Sequence, residues 1–107
     1  MKLAWTPEAR AERKAIYAYI EANNPQAAIK LNRQFAQRAA QLLAHPLMGR
    51  VGRLQSTREL VVPPSFVLIY QIDGETIRIL RVLHTARRWP PTPADPSNDL
   101  PPAKRWP

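Results

Sequence analysis

The residues best suited to chemistry lie towards the end of the last apolar segment, "TIRILRVLHTARRW" (residues 76–89). This segment offers arginines that can hold a phosphate, a histidine that can transfer a proton near neutral pH, and a tryptophan that can stack on a base. Arg58 and Tyr70, from two earlier apolar segments, complete the candidate set. Its members are Arg58, Tyr70, Arg81, His84, Arg87, Arg88 and Trp89. Together these residue types could cleave RNA without a metal ion.

Most of these residues also have a structural interpretation. Tyr70 in the middle of an apolar segment fits a core position, and His84 at a strand end fits a hydrogen-bonded structural role. Trp89 precedes two prolines and could pack over a sheet edge. The neighbours Arg87 and Arg88 are the hardest to explain in this way. The sequence therefore favours a cationic binding surface at the end of the last strand.

The charge balance indicates a polyanionic partner. Sixteen Lys and Arg against eight Asp and Glu give a net charge of +8. Residues 90–107 hold two acids and two bases, so the whole excess lies in residues 1–89. Arginine favours planar, bidentate contacts to phosphate or carboxylate. A nucleic acid or an acidic protein segment is the expected partner.

Other classes of site are not indicated. The 107 residues contain no cysteine, and neither a metal-ligand spacing nor a phosphate-binding loop is present. We expect no metal and no cofactor. The first residues become charged too early for a secretion signal, and no apolar run reaches the roughly 18 residues of a membrane helix. The sequence predicts a soluble cytoplasmic protein without membrane contact.

Local patterns predict the elements that position the candidate residues. "MKLAW" suggests an opening strand, and Thr6–Pro7 and Asn24–Pro25 are typical helix starts, each a capping residue before a proline. Two helices follow these starts and must form an antiparallel hairpin. Their apolar stripes comprise Ala9, Ile16 and Ile20 in the first helix, and Ala28, Leu31, Phe35, Ala39 and Leu42 in the second.

Residues 45–56, "HPLMGRVGRLQS", read as a connecting loop, after which the pattern changes to strands. "TRELVV", "SFVLIYQI" and "TIRILRVLH" predict a three-stranded antiparallel meander with a hairpin at "DGE". In the last strand we expect Ile77, Ile79 and Leu83 on one face, and Leu80 and Val82 on the other. A helix hairpin covers a single sheet face, so the sequence predicts an uncovered, arginine-dotted second face that awaits a partner.

The chain therefore divides into a folded domain, residues 1–89, and a Pro-rich tail, residues 90–107. The tail has seven prolines in eighteen residues and almost no aliphatic side chains. Such a composition predicts an extended or disordered segment.

Residues 1–90 resemble the RelE/ParE superfamily of type II toxin–antitoxin toxins. The resemblance rests on "P-x-x-GR" at residues 46–50, a strand ending in "IY", and "ILRVLHTARRW". It implies an α+β fold of order β-α-α-β-β-β, with a helical hairpin on one face of an antiparallel twisted sheet. It also implies growth inhibition, a role in plasmid stabilization, and a cognate antitoxin with a DNA-binding N-terminal domain and an acidic segment that wraps the toxin.

Two targets are open within this superfamily. RelE-like members are ribosome-dependent mRNA endonucleases, and here their cleavage residues would be Arg58, Arg81, His84 and Arg87. Glu59 beside Arg58, Val67 where a base is expected, and the lack of a terminal tyrosine leave that set half complete. ParE-like members inhibit DNA gyrase and are not nucleases, and the resemblance favours this branch.

For either target, we expect Arg58, Arg81, Arg87, Arg88 and Trp89 to contact the target or the antitoxin. A third alternative is a non-toxic basic module that binds nucleic acid.

Overall fold

A computed structural model describes residues 1–85. The predicted contacts Arg87, Arg88 and Trp89 and the Pro-rich tail lie outside the described residues. The elements are β1 (Lys2–Trp5), α1 (Pro7–Glu21), α2 (Pro25–Ala44), β2 (Arg50–Val51), β3 (Arg58–Val62), β4 (Phe66–Asp73) and β5 (Thr76–His84).

Both helices begin where the sequence predicts. The Thr6 hydroxyl accepts a hydrogen bond from the Ala9 amide at 3.1 Å, and the Asn24 side chain accepts one from the Ala27 amide at 3.1 Å. A proline follows each cap, at a position where its missing N–H costs nothing. These contacts satisfy amides that would otherwise lack a partner at the helix starts.

The predicted apolar stripes of the helices are confirmed as the core. All eight predicted positions are buried, and they pack with side chains of the sheet into one cluster. Phe35 of α2 meets Phe66 of β4 edge to face, with ring centroids 5.5 Å apart. The helical hairpin thus covers one face of the sheet, as the α+β prediction requires.

The sheet has five strands in the order β1-β5-β4-β3-β2. The predicted meander of β3, β4 and β5 is confirmed and is antiparallel. β1 pairs with β5 in parallel, so the sheet is mixed rather than antiparallel throughout. The two-residue strand β2 lies within the predicted loop 45–56 and pairs with the start of β3.

The second sheet face differs from the prediction, which left it uncovered. Val67, Ile69 and Leu83 form a small cluster on that face with exposed fractions of 8%, 0% and 3%. Val61, beside Val67, stays 39% exposed. The prediction of an open apolar face is therefore wrong for the strand centres.

A β-bulge explains why the faces of β5 were predicted incorrectly. Tyr70 pairs with Ile79, but Ile69 pairs with Arg81, so Leu80 is an extra residue in the ladder. An extra residue shifts the alternation of side chains by one position. Val82 consequently joins the helix-side core, and Leu83 points to the second face.

The core stripe of α2 gives a test with a matched control. Leu42 is fully buried, whereas the adjacent Leu43 is 40% exposed. We expect Leu42→Ala to lower the free energy of unfolding by about 2–5 kcal/mol, because it leaves a cavity between α2 and the sheet. Leu43→Ala should cost less than about 1 kcal/mol. Urea denaturation of the two variants measures both values, and equal losses would contradict this packing.

Candidate functional site

Tyr70 is a structural residue of the core. Its side chain is fully buried, and its hydroxyl donates to the Pro46 carbonyl oxygen at 2.7 Å and accepts from the Gly49 amide at 3.0 Å. Burial raises the pKa of Tyr70, which keeps the hydroxyl protonated and able to donate. Tyr70 therefore occupies a core position, as its structural interpretation predicted, and both hydrogen bonds of its hydroxyl are made within the chain.

Gly49 and Arg58 complete the same contact region. A Cβ atom at Gly49 would lie 2.6 Å from Cε1 and 2.7 Å from the hydroxyl of Tyr70, so only glycine allows this approach. Arg58 donates from Nη1 to the carbonyl oxygens of Gly49 at 2.8 Å and Leu47 at 3.4 Å. Arg58, a predicted contact residue, thus binds the backbone of the loop that follows α2.

Glu59 is paired with Arg50. Its carboxylate accepts from Nη2 of Arg50 at 2.9 Å and from the Arg53 amide at 3.3 Å. Glu59 is only 4% exposed, so these partners compensate a buried charge.

We call these residues the Tyr70 cluster. It comprises Pro46, Gly49, Arg58 and Tyr70. The proline and glycine of "P-x-x-GR", the arginine that begins β3 and the tyrosine of "IY" in β4 meet here, whereas Arg50 and Glu59 pair beside Ile69 on the second face of the sheet.

Arg81 is held at the edge of β5 by Glu12 of α1. Its Nε and Nη2 atoms donate to the Glu12 carboxylate at 2.9 and 2.6 Å. Glu12 also accepts from the Val82 amide at 2.9 Å, beyond the last residue that β1 pairs. The hydrogen bonds from Arg81 to Glu12 raise the pKa of Arg81. Glu12 therefore accepts hydrogen bonds both from a backbone amide at the edge of β5 and from the guanidinium of Arg81.

His84 ends β5 with its ring against the core. It meets Phe66 edge to face at a centroid distance of 5.4 Å, and partial burial lowers the pKa of His84. The imidazole is thus favoured in its neutral form.

The three described members of the proposed cleavage set do not form one cluster. Arg58 shares a row of the sheet with Tyr70 and Ile79. His84 shares a row with Phe66, which lies four residues before Tyr70 in β4. This separation is about 14 Å along the strands. Arg81 stands opposite Ile69, on the other face, before it reaches Glu12. Their roles in contacting a partner stay predictions.

A basic pocket on the helix side was missed by the sequence analysis. It has a volume of about 430 Å³ and is lined by Trp5, Arg10, Arg13, Lys14, Tyr17 and Asn32. The spacing of Arg10, Arg13, Lys14 and Tyr17, which places them on one helix face, could have revealed it. Trp5 could not have been assigned to it, because β1 and α1 meet there only in the folded chain.

Two further observations concern residues 1–85. They contain no group of three or more side chains arranged to hold a metal ion. Neither of their helices combines the length and the apolar character that crossing a bilayer requires.

Residues 3–89 match the family model described as the ParE toxin of the type II toxin–antitoxin system parDE. The chain belongs to the ParE toxin family. It is thus a toxin of the type II toxin–antitoxin class, whose members are paired with an antitoxin. The resemblance to the RelE/ParE superfamily is confirmed.

Relatives agree with this membership. The chain is 34% identical over 90 residues to the putative toxin Y4kP of Sinorhizobium fredii, covering 83% of this chain and 93% of the relative. It is 34% identical over 86 residues to toxin RelE2 of Caulobacter vibrioides, covering 80% and 97%. Among solved structures, the chromosomal ParDE system of P. aeruginosa matches with a TM-score of 0.71 and 27% identity, over 78% of this chain and 95% of that one.

The contacts of the Tyr70 hydroxyl predict that its removal lowers the free energy of unfolding measurably. Tyr70→Phe leaves the Gly49 amide and the Pro46 carbonyl without their partner, and we expect a loss of about 1–3 kcal/mol in the free energy of unfolding. Tyr17→Phe, at a half-buried tyrosine of α1, is the matched control and should cost under about 0.5 kcal/mol. Thermal or urea unfolding provides the measurement, and two equal values would argue against the cluster.

The lowered pKa of His84 predicts that the stability of the folded chain depends on pH. Because the folded chain holds the pKa of His84 below 6.5, the unfolded chain binds the proton more readily. The stability that neutral His84 contributes to the folded chain is complete above about pH 6.5 and is lost progressively as the pH falls below that value. We expect the melting temperature of the wild type to fall more than that of His84→Gln between pH 7 and pH 5. The exposed His45 supplies the control variant, His45→Gln, and parallel curves for wild type and His84→Gln would contradict the prediction.

Proposed function

We propose that this toxin inhibits DNA gyrase in the cytoplasm and is not a ribonuclease. We also propose that its antitoxin has a DNA-binding N-terminal domain and an acidic segment that covers the toxin. The family model supports the first proposal, because the matched description is that of a ParE toxin. The net charge of +8 supports the second, because complementary charge accelerates association and selects the partner.

The observation that carries the proposal is the engagement of the strand arginines by the chain itself. Arg58 binds the carbonyl oxygens of Gly49 and Leu47, and Arg81 binds Glu12. Phosphoryl transfer without a metal needs several groups positioned around one phosphate. Arginines committed to separate partners, one in the loop after α2 and one at the free edge of β5, are poorly placed for that reaction.

The lowered pKa of His84 adds to this argument. Because its imidazole lies against Phe66 and burial disfavours its charged form, His84 is a poor source of a proton at neutral pH. A ribonuclease that used His84 as its general acid would need the charged form. The half-complete cleavage set in the sequence points in the same direction.

We further propose that the antitoxin or target contacts the end of β5 and the residues that follow it. The predicted contacts there are Arg81, Arg87, Arg88 and Trp89, and Arg58 is the predicted contact on β3. Arg81 keeps a 28% exposed side chain although it pairs with Glu12. An arginine held in one orientation loses less conformational entropy when it binds a carboxylate.

A second candidate function is supported by one relative. The toxin RelE2 of Caulobacter vibrioides is 34% identical and carries the name of the nuclease branch. Under that candidate, Arg58, Arg81, His84 and Arg87 would have to converge on a scissile phosphate of ribosome-bound message.

A gyrase assay tests the proposal. Purified toxin is incubated with gyrase, ATP and relaxed plasmid, and we expect loss of supercoiling or accumulation of cleaved plasmid at micromolar toxin. Toxin bound to its antitoxin is the control and should leave gyrase active. Unchanged supercoiling by free toxin that still arrests growth would overturn the gyrase target.

Primer extension on translated message then separates the alternatives. Toxin-dependent cuts that disappear when translation is blocked would favour the nuclease candidate. A chain that neither arrests growth nor affects gyrase, yet binds plain duplex with steep salt dependence, would be the non-toxic nucleic-acid-binding module.

A further inference from the structure

The basic pocket lies between β1, α1 and α2, on the helix side of the sheet and away from the Tyr70 cluster. Arg10, Arg13, Lys14 and Tyr17 come from one stripe of α1, Trp5 comes from β1, and Asn32 comes from α2. Three elements therefore converge to build a concave site. The gyrase proposal neither uses this pocket nor requires it.

α1 separates its charges between two opposite sides. Glu12 and Glu8, one turn apart, both raise the pKa of Arg81, and the hydrogen bonds that Arg81 donates to Glu12 are the larger cause. The bases point the other way, into the pocket. Among the described residues, no carboxylate pairs with Arg10 or Lys14. Neither Glu8 nor Glu12 lines the pocket, and its charged lining residues are all basic.

Arg13 gives the pocket a fixed wall. Its Nε donates to Oδ1 of Asn32 at 2.7 Å, and its Nη2 donates to the Asn32 carbonyl at 3.1 Å. The guanidinium carbon lies 4.7 Å from the centre of the Trp5 ring, and burial lowers the pKa of Arg13. A cation and an indole held in this way are organised before any ligand arrives.

The lining combines two recognition chemistries. Arg10 and Lys14 can bind a phosphate, and the half-buried rings of Trp5 and Tyr17 present aromatic surface to a planar group. The volume of about 430 Å³ lies in the range of pockets for small ligands, roughly 300–1,000 Å³. An extended acidic peptide would need a row of cations along a groove and would not use two rings in one cavity.

We propose that this pocket binds a nucleotide. The phosphate lies against Arg10 and Lys14, and the base packs against Tyr17 and the rim of Trp5. The same chemistry is offered by a free nucleotide and by an unpaired nucleotide of a nucleic acid strand.

Two binding measurements test the proposal on the full chain. Calorimetry with AMP measures the free nucleotide, and fluorescence anisotropy with a labelled dT12 oligonucleotide measures the strand. Ribose 5-phosphate, which lacks the base, isolates the ring contribution, and we expect it to bind at least about tenfold more weakly than AMP.

Matched double variants separate the pocket from general electrostatics. Arg10→Gln with Lys14→Gln should weaken binding at least about tenfold, because it removes the charge-assisted contacts to phosphate. Lys30→Gln with Arg33→Gln removes the same charge from the exposed side of α2 and should change binding less than about twofold. Melting temperatures check that both variants remain folded.

The outcomes distinguish the possibilities. Binding of AMP that is weakened only by the pocket double variant supports a site for a free nucleotide. Binding of dT12 alone, with the same selectivity between the double variants, supports a site for a nucleotide within a strand. Binding of neither probe overturns the proposal, as does an equal loss in both double variants. Stronger binding of an octaglutamate peptide than of AMP, abolished by Arg10→Gln with Lys14→Gln, would also overturn it and assign the pocket to an acidic protein. None of these results affects the gyrase assay, so the two proposals fail independently.

Discussion

The buried hydroxyl of Tyr70 fixes the loop through which the helix layer connects to the sheet. α2 ends at Ala44, and the chain must turn back before β2 begins at Arg50. The Tyr70 hydroxyl uses one donor and one acceptor bond to fix that turn at Pro46 and Gly49. A buried polar group of this kind stabilises the fold only when its partners are all in place. Gly49, with no room for a Cβ atom, makes the approach possible.

The excess of base in this chain serves two different purposes. Within the sheet, Arg58 binds loop carbonyls, Arg50 compensates Glu59, and Arg81 pairs with Glu12 at the free edge of β5. These cations stabilise the domain and are restricted in what else they can bind. On α1, Arg10 and Lys14 point into the basic pocket instead. A net charge of +8 therefore overstates the charge available to a partner, and its distribution matters more than its size.

Much of the fold could be predicted because local physics determines it. The proline and capping residues at Thr6 and Asn24 determine where the helices begin, and the apolar spacing of α2 identifies its buried face. The hairpin between β4 and β5 follows from its turn residues. Local patterns carry no information about the parallel pairing of β1, nor about the bulge that places Leu80 outside the ladder.

The candidate site was harder to predict, for a related reason. A sequence shows that Arg81 and His84 are near one another in the chain, but not that Glu12, 69 residues away, holds Arg81. Arg58 was recognised as important, yet its partners are backbone carbonyls, which no residue pattern displays. The basic pocket is completed by Trp5 and Asn32, so the stripe of residues on α1 does not by itself reveal the pocket.

The pairing of the first strand with the last has a consequence for how the toxin is made. Lys2 lies beside Thr76, and the Thr6 hydroxyl binds the Leu80 carbonyl at 2.8 Å, 74 residues along the chain. Contacts that join distant parts of a chain form late and slow its folding. A nascent chain cannot close this sheet until β5 has left the ribosome, so the folded toxin forms only after residues 76–84 have been released.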